Sequence, residues 1–358
     1  STNARKRPKP WVRRLLRLAL YELYFLKTPP HAVIDQAVQI CKESKFHAQS
    51  KFVNAFLRQI ELPQGVYANQ NFPDWLLDLW RQNGQWLKSL QLHPSVGLVL
   101  KDDGIINKYI DVIETLCTID KIVVPNTFYS NQHGPINRWK GYEAGDWWVM
   151  NPAAVQVVDI TYAHLSSENP SVLDVCAAPG GKSFRFHSLG AKVTALDISE
   201  HRLKRFQENC TRLNMEIPSF QQDATEWNES LGQFDAVFLD APCSGLGVIR
   251  KHPEIRWNRT ESDVKANSIL QRQILATAAK YVKKGGILAY CVCSLHPFEG
   301  QQVVDDFLMR HPDWGQVESW STPIDSKHIQ QEKLDGFQLF IVQAKVSFTE
   351  PHSISDVS

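Results

Sequence analysis

Short apolar segments alternate with helical segments through the second half of the chain, and this alternation constrains the fold more than any other feature. Helical spacing is clearest at Glu200–Leu213 and at 261–282. Four apolar runs end at or near a polar or reactive residue, at 172–175, 193–196, 236–239 and 287–290. Strands alternating with helices are typical of a doubly wound sheet with helices on both faces. Because such sheets bind ligands beyond the carboxyl ends of their strands, the residues there are the candidates for function.

The first half of the chain has a different pattern. Apolar residues recur at helical spacing from Trp11 to about Glu61, interrupted at Pro29 and Pro30, which predicts a short all-α region. Farther on, to about Asn151, the signals are mixed, with helices predicted at 74–80 and 105–118 and strands at 96–100 and 121–125. We therefore expect a small α/β module ahead of the doubly wound sheet.

The charge of the chain is balanced overall but uneven locally. A net charge of +1, with 43% hydrophobic and 22% charged residues, indicates an ordinary globular protein and argues against a simple nucleic-acid coat protein. The N-terminal stretch is nevertheless basic and can attract phosphates, although a solvated tail is the alternative interpretation. Its basic residues are Arg5, Lys6, Arg7, Lys9, Arg13, Arg14 and Arg17.

Cysteine number and hydropathy indicate the compartment. Seven cysteines without dense, regular spacing argue against a disulfide framework and favour a reducing environment. The N-terminal residues contain no apolar targeting segment, and the apolar runs are too short to span a bilayer. We therefore expect a soluble cytoplasmic protein that acts as a monomer and binds no membrane.

The first strand of the predicted sheet leads directly into a turn rich in small residues. Paired glycines and small side chains let a backbone turn tightly and approach a ligand closely. The turn has neither the G-x-G-x-x-G spacing of dinucleotide sites nor the Walker spacing of phosphate loops, and an ordinary tight turn is the alternative. The residues of this turn are Cys176, Ala177, Ala178, Pro179, Gly180, Gly181 and Lys182.

Carboxylates recur at four strand ends of the predicted sheet. Asp197 ends the second strand, where a carboxylate can accept hydrogen bonds from both ribose hydroxyls of a nucleoside. Asp223 follows the third strand and could accept from an exocyclic amine, while Asp174 and Asp240 belong to the first and fourth strands. No basic cluster for phosphates accompanies them, which favours an adenosyl ligand over a nucleoside triphosphate. Each aspartate could instead cap the helix that follows it.

Two cysteines follow neighbouring strands of the sheet, Cys243 after the fourth strand and Cys293 after the fifth. Neighbouring strand ends lie side by side, so we expect both thiols in one crevice, although burial in the core is the default for a cysteine. Zinc binding by Cys291, Cys293 and His296 is disfavoured because no Cys-x-x-Cys pair is present, and we expect no metal. The G-x-S-x-G elbow of serine hydrolases is also missing.

These motifs together resemble a known family. Segments 173–182, 240–245 and 293–294 resemble the RNA 5-methylcytosine methyltransferases of the RsmB/Nop2/NSUN group, and 247–257 resembles its bacterial 16S rRNA branch. Segments 30–34 and 52–58 resemble the NusB-like RNA-binding domain of the bacterial members. The resemblance implies an α/β, Rossmann-like class I methyltransferase domain at 144–346, followed by a tail at 347–358. It also implies a partial all-α NusB-like domain at 1–62 and a small α/β module at 63–143.

The resemblance also implies a reaction and its residues. Cys293 would add to carbon 6 of a cytosine flipped out of the RNA stack, which makes carbon 5 nucleophilic toward the methyl group of S-adenosylmethionine. Cys243 would assist release of the methylated product, and Asp240 and Lys182 would position the cytosine. The residues expected to bind S-adenosylmethionine are Cys176, Ala177, Ala178, Pro179, Gly180, Gly181, Lys182, Asp197 at the ribose, Arg202, Asp223 at the adenine and Asp240.

Three functions are compatible with the sequence. The first is cytosine-C5 methylation of small-subunit rRNA, and the second is the same reaction on transfer RNA. The third is an RNA-binding ribosome-assembly factor of the same fold with little catalysis. The presence of both thiols favours an enzyme, whereas Val292, which stands where the family usually has threonine, keeps the binding protein open.

Overall fold

The computed structural model describes residues 8–60, 71–81, 83–92, 94–119, 122–322 and 334–345. The chain forms two compact units that divide between Val66 and Tyr67. The predicted tail at 347–358 and the basic residues Arg5, Lys6 and Arg7 lie outside the described residues. Among the helices of the described part, none has the length and apolarity needed to cross a bilayer.

The described part of the first unit is all-α, as predicted, with three α-helices and a short 3-10 helix. A proline begins the first turn of α1 and of α2, where its missing N–H costs no hydrogen bond. The apolar faces of the three helices pack into one small core that includes Leu16, Val33 and Val53. The helices are α1 (Pro10–Tyr24), α2 (Pro30–Glu43) and α3 (Ser50–Gln59).

The second unit begins with two short helices and a four-stranded antiparallel sheet. The strand order is β2-β3-β1-β4, and large apolar side chains including Leu98, Phe128 and Trp147 pack on the sheet. The elements are α4 (Asp74–Leu79), α5 (Gly84–Ser89), β1 (Gly97–Leu100), β2 (Ile113–Ile119), β3 (Ile122–Ser130) and β4 (Trp147–Val149).

The helix predicted at 105–118 is wrong. A 3-10 helix occupies Asp103–Tyr109, a turn follows at 110–112, and strand β2 then begins at Ile113 and pairs with β3. Ile113, Thr115 and Thr118 are β-branched, and such side chains fit a pleated sheet better than a helix. Pairing with a neighbouring strand therefore outweighs the helical spacing of the apolar residues.

A seven-stranded sheet dominates the second unit, in the order β10-β11-β9-β8-β5-β6-β7. Strands β5, β6, β7, β8 and β9 all run parallel to one another. Strand β11 is antiparallel to both of its neighbours, β9 and β10. This is the predicted doubly wound α/β sheet. Its strands are β5 (Ser171–Val175), β6 (Lys192–Asp197), β7 (Ser219–Gln221), β8 (Phe234–Asp240), β9 (Val282–Val292), β10 (Trp314–Ser321) and β11 (Gln338–Ala344).

Helices cover this sheet on both faces. Alternate residues of each strand enter opposite cores, so Phe238 lies in one core and Leu239 in the other. The helix predicted to reach residue 282 ends earlier, because Val282 already belongs to β9. The helices are α6 (Pro152–Ala163), α7 (Gly181–Ser188), α8 (Glu200–Leu213), α9 (Ile255–Asn258), α10 (Glu261–Ala278) and α11 (Gln301–Arg310).

The strand order places the site. From β5 the chain runs outward through β6 to β7, and it then returns to add β8 on the other side of β5. A doubly wound sheet opens a crevice at such a reversal, beyond the carboxyl ends of the two strands that flank it. The residues that follow β5 and β8 are therefore brought together by the topology.

Candidate active site

A cavity of about 420 Å³ opens beyond the carboxyl ends of the parallel strands. This volume is within the range of about 300–1,000 Å³ that is usual for small-molecule sites. Of the predicted turn, Cys176 and Ala178 line the cavity, whereas Ala177, Pro179, Gly180, Gly181 and Lys182 do not. The other predicted residues that line it are Asp197, Arg202, Asp223, Asp240, Cys243 and Cys293.

The turn after β5 has a backbone that only certain residues adopt. Gly180 has a φ of +114°, and a Cβ at this position would lie 2.3 Å from the ring of Phe184. Cys176 also has a positive φ, and the Ala178–Pro179 peptide bond is cis. The amide of Ala178 donates to Oδ2 of Asp197 at 3.2 Å, which joins the turn to the end of β6. The small residues are thus required by the shape of the turn.

The two carboxylates expected at the nucleoside end of the cavity are held in place by the backbone. Oδ1 of Asp197 accepts from the amide of Ser199 at 2.9 Å and pairs with Arg202 at 2.8 Å. Asp223 accepts from the amide and the hydroxyl of Thr225, and these hydrogen bonds lower the pKa of its carboxyl. Both groups are therefore fixed acceptors for hydroxyl or amine hydrogens.

Asp174 differs from the other strand-end aspartates. It is fully buried within β5 and does not line the cavity. Ser183 donates to its Oδ2 at 2.5 Å, and its Oδ1 has no hydrogen-bond partner among the described residues. Burial raises the pKa of this carboxyl to about 7. Asp174 is thus a partly protonated group of the core near neutral pH.

Lys182 forms an ion pair with Asp240, which lines the cavity. Nζ of Lys182 lies 2.6 Å from Oδ2 of Asp240 and 5.4 Å from the ring centre of Phe337. Burial acts to lower the pKa of Lys182, but the charge of Asp240 outweighs it and raises that pKa above its usual range. The lysine is therefore a permanent cation beside the carboxylate.

The two candidate thiols lie together, as the adjacent strand ends predict. The Sγ atoms of Cys243 and Cys293 are 3.3 Å apart, at hydrogen-bonding distance, and both cysteines are free. The hydrogen bond with Cys293, burial, and the negative charges of Cys293 and Glu299 raise the pKa of Cys243. Cys243 therefore retains its proton more strongly than an ordinary cysteine.

Glu299 is a site residue that sequence reasoning missed. It is fully buried, and its Oε1 accepts from the amide of Ser244 at 2.7 Å. Its other oxygen accepts from the hydroxyl of Ser244, the residue after Cys243. The repeated Cys-Ser pair after two strands is the sequence signal, since Ser244 and Ser294 lie 3.4 Å apart behind the thiols.

The third cysteine of this region belongs to the core. Cys291 is fully buried, and burial raises its pKa well above the usual range. Nδ1 of His296 accepts from the amide of Phe298. In the part of the chain that the structure describes, no group of three or more His, Cys, Asp or Glu side chains could hold a metal ion.

Comparisons with known proteins agree with this fold. The model of the 16S rRNA methyltransferase RsmB/F family matches residues 162–346, and the NusB family matches residues 1–62. Ribosomal RNA small subunit methyltransferase B of Yersinia enterocolitica is 32% identical over 338 residues, covering 85% of this chain and 75% of that protein. The protein of the same name from Yersinia pseudotuberculosis is 31% identical over 347 residues, covering 91% and 80%.

Solved structures share the fold at lower sequence identity. The crystal structure of PH0851 has a TM-score of 0.78 at 21% identity and covers 93% of this chain and 82% of its own. A methyltransferase homolog from Pyrococcus horikoshii has a TM-score of 0.59 at 21% identity, covering 76% and 94%. NSun6 from the same organism, solved with SFG, has a TM-score of 0.52 at 22% identity, covering 63% and 59%.

Proposed function

Because this chain belongs to the RsmB/F family of 16S rRNA methyltransferases, we propose that it methylates carbon 5 of a cytosine through a covalent bond to Cys293. The chain is an rRNA methyltransferase, and its methyl donor is S-adenosylmethionine. The observation that carries the cytosine chemistry is the 3.3 Å separation of the Cys243 and Cys293 sulfur atoms beside the cavity. Two thiols at one site suit a reaction in which one forms a bond and the other helps to break it.

The cavity has the chemistry that S-adenosylmethionine requires. Asp197 and Asp223 would accept hydrogen bonds from the ribose hydroxyls and the adenine amine, because both carboxyl groups line the cavity. The turn at 176–182 and Arg202 would hold the rest of the molecule. When bound, the cofactor supplies an electrophilic methyl group. The thiols and Asp240 line the same cavity, so the donor and the acceptor share one space.

The protein would first make the cytosine nucleophilic. Cys293 gives its proton to solvent water, its sulfur bonds to carbon 6, and the electron pair of the carbon 5–carbon 6 double bond moves to carbon 5. The Lys182–Asp240 pair would hold the polar edge of the pyrimidine and balance the charge that develops there. Once carbon 5 carries the methyl group, its proton passes to water, the electron pair of that carbon–hydrogen bond restores the double bond, and the sulfur–carbon 6 bond breaks to leave Cys293 as a thiolate. We assign assistance in this release to Cys243.

The side chain of Val292 lies outside the lining of the cavity. The residue stands where the family usually has threonine, but its side chain is fully buried in an apolar core and does not line the cavity. The exchange of a hydroxyl for a methyl group therefore leaves the lining unchanged. This favours an active enzyme over a binding protein of the same fold.

The N-terminal segments are the proposed RNA contacts. Lys9, Arg13, Arg14 and Arg17 are exposed on or beside α1, where their charges are available to phosphates. We assign RNA binding to the NusB-like segment 1–62 and to the module at 63–143, and methyl transfer to 144–346. We further propose that the protein acts as a monomer on 16S rRNA in the bacterial cytoplasm.

Transfer of a labelled methyl group to RNA tests the proposal. The full chain is incubated with methyl-labelled S-adenosylmethionine and with 16S rRNA or transfer RNA, and products are separated on a denaturing gel. We expect 5-methylcytosine in 16S rRNA, none with Cys293→Ala, and a protein–RNA adduct with Cys243→Ala. Cys210→Ala, a buried thiol of α8, is the matched control and keeps full activity. A methyl group at another position of the base, or methyl transfer by Cys293→Ala, would refute the covalent mechanism. Label in transfer RNA alone would mean that transfer RNA, not 16S rRNA, is the substrate.

A further inference from the structure

A buried carboxylate joins the two loops that carry the thiols. Glu299 lies on the segment that follows Cys293, and its side chain crosses to the loop that follows β8. Oε1 accepts from the amide of Ser244 at 2.7 Å and from Nδ2 of Asn267 at 3.2 Å, while Oε2 accepts from the Ser244 hydroxyl. Since Ser244 follows Cys243 directly, Glu299 controls where the Cys243 backbone lies.

Backbone and hydroxyl contacts support the same junction. The hydroxyl of Tyr290 donates to the carbonyl of Glu299 at 2.6 Å, which fixes the segment that carries the carboxylate. The amide of Gly247 donates to the carbonyl of Cys293 at 3.0 Å, which joins the two loops a second time. The carboxylate is thus part of a fully bonded connection rather than a surface group that happens to be covered.

Glu299 acts on the thiols through its charge as well as through its hydrogen bonds. Within the described residues, no ion pair includes Glu299, and its oxygens are held by neutral donors. A buried negative charge without a paired cation disfavours a second negative charge nearby. In agreement, Glu299 contributes to the raised pKa of Cys243. Three groups near Cys243 come from β9 and the segment after it: Tyr290, Cys293 and Glu299. Asp240, at the end of β8, lines the same cavity, and Nε of Arg259 donates to the carbonyl of Ser244.

We propose that Glu299 is a positioning residue for methyl transfer, an inference that rests on the proposed function. Its hydrogen bonds to Ser244 hold Cys243 against Cys293, and its charge keeps Cys243 in the thiol form while Cys293 attacks. The carboxylate thereby separates the roles of two otherwise similar thiols.

Two substitutions separate the hydrogen bonds from the charge. In Glu299→Gln, the amide oxygen can still accept from Ser244 and Asn267, and the amide nitrogen can donate to the Ser244 hydroxyl, which then turns toward Ser294. Only the charge is lost. Glu299→Ala removes the charge and the hydrogen bonds together. Asp306→Asn is the matched control, because it removes a carboxylate of α11 that pairs with Arg272 away from the cavity.

The first measurement needs no RNA. Each variant is alkylated with iodoacetamide at several pH values, and the labelled Cys243 and Cys293 peptides are quantified by mass spectrometry at early times. In the parent and in Asp306→Asn we expect Cys293 to react before Cys243. In Glu299→Gln we expect Cys243 to react severalfold faster at pH 8, because loss of the negative charge lowers the pKa of its thiol and increases the thiolate fraction. Equal Cys243 rates in the parent and Glu299→Gln would overturn the charge role.

The second measurement is methyl transfer to RNA. Glu299→Ala should lower kcat by about a hundredfold with KM for RNA unchanged, because small misplacements of reacting groups have effects of that size. Glu299→Gln should recover most of this loss. Equal kcat in Glu299→Ala and the parent, or no recovery in Glu299→Gln, would overturn the positioning role. A parent chain that transfers no methyl group would refute the proposed function. The alkylation rates would then still decide whether the charge of Glu299 keeps Cys243 in the thiol form.

Discussion

Replacing Asp174 with asparagine should change how the stability of the second unit depends on pH. Burial raises the pKa of this carboxyl from an ordinary 3.8 to about 7, so the folded chain holds its proton more tightly than the unfolded chain. The contribution of this proton to the free energy of unfolding is therefore complete below the pKa that Asp174 has in the unfolded chain. It is lost as pH rises through the pKa that Asp174 has in the folded chain. Two pH units between 5 and 7, at about 1.4 kcal/mol each, give a loss of about 3 kcal/mol.

Asp174→Asn removes this titration but keeps an acceptor for the hydroxyl of Ser183. The hydrogen-bond change is the same at every pH, so the free energy of unfolding of the variant relative to the parent should rise by about 3 kcal/mol between pH 5 and pH 8. Urea unfolding followed by tryptophan fluorescence measures this, because Trp11 alone of the tryptophans lies in the first unit.

Asp235→Asn is the matched control for this experiment. Burial opposes its ionisation, but hydrogen bonds from Ser171 and Lys283 outweigh burial and lower its pKa to about 2. Both its folded and its unfolded pKa lie below pH 5, so its effect on stability should not vary between pH 5 and pH 8. A constant difference for Asp174→Asn over the same range would refute the argument that this carboxyl is partly protonated in the fold.

Three further substitutions test the fold and the cofactor site. Arg185→Ala should lower the free energy of unfolding by about 3–5 kcal/mol, because it leaves Asp159 without its bidentate partner at 2.7 and 2.9 Å; a loss below about 1 kcal/mol would mean that solvent screens the pair. Gly247→Ala should cost about 3 kcal/mol in urea unfolding, since its Cβ would lie 1.9 Å from the carbonyl oxygen of Gly336, and an unchanged midpoint would refute this close approach. Asp197→Asn should raise the calorimetric Kd for S-adenosylmethionine about tenfold, the value of one charge-assisted hydrogen bond, and an unchanged Kd would remove the ribose assignment.

The sequence predicted the main sheet because each parallel strand is a short apolar run that ends at a polar residue. The 236–239 run and the aspartate that follows it are visible in the sequence alone, as are the paired glycines that predict a tight turn. The positive φ of Gly180 is seen only in the structure. Strand β2 was not predictable in this way, because its pattern of apolar residues also fits a helix. Its partner β3 decides the outcome, and pairing between strands is not a local property.

Only the parts of the candidate site that follow neighbouring strands were predictable from the sequence. Cys243 and Cys293 follow adjacent strands, so their meeting follows from the topology. Glu299 and Ser244 are 55 positions apart, and their contact depends on how two loops fold back over the strand ends. The burial of Asp174 was likewise hidden, because a strand-end aspartate has the same sequence signature whether it lines a cavity or lies under it.

The interior position of β9 in the sheet limits the local opening of this strand. The hairpin of β10 and β11 covers its outer edge, so β9 is hydrogen-bonded to β8 on one side and to β11 on the other. Local opening of an interior strand requires both neighbours to separate, whereas an edge strand frays alone. Its amide hydrogens should therefore exchange with solvent only during global unfolding of the second unit. Cys293, the proposed nucleophile, directly follows this doubly paired strand, so we expect the surrounding loops rather than β9 to adjust to a bound RNA.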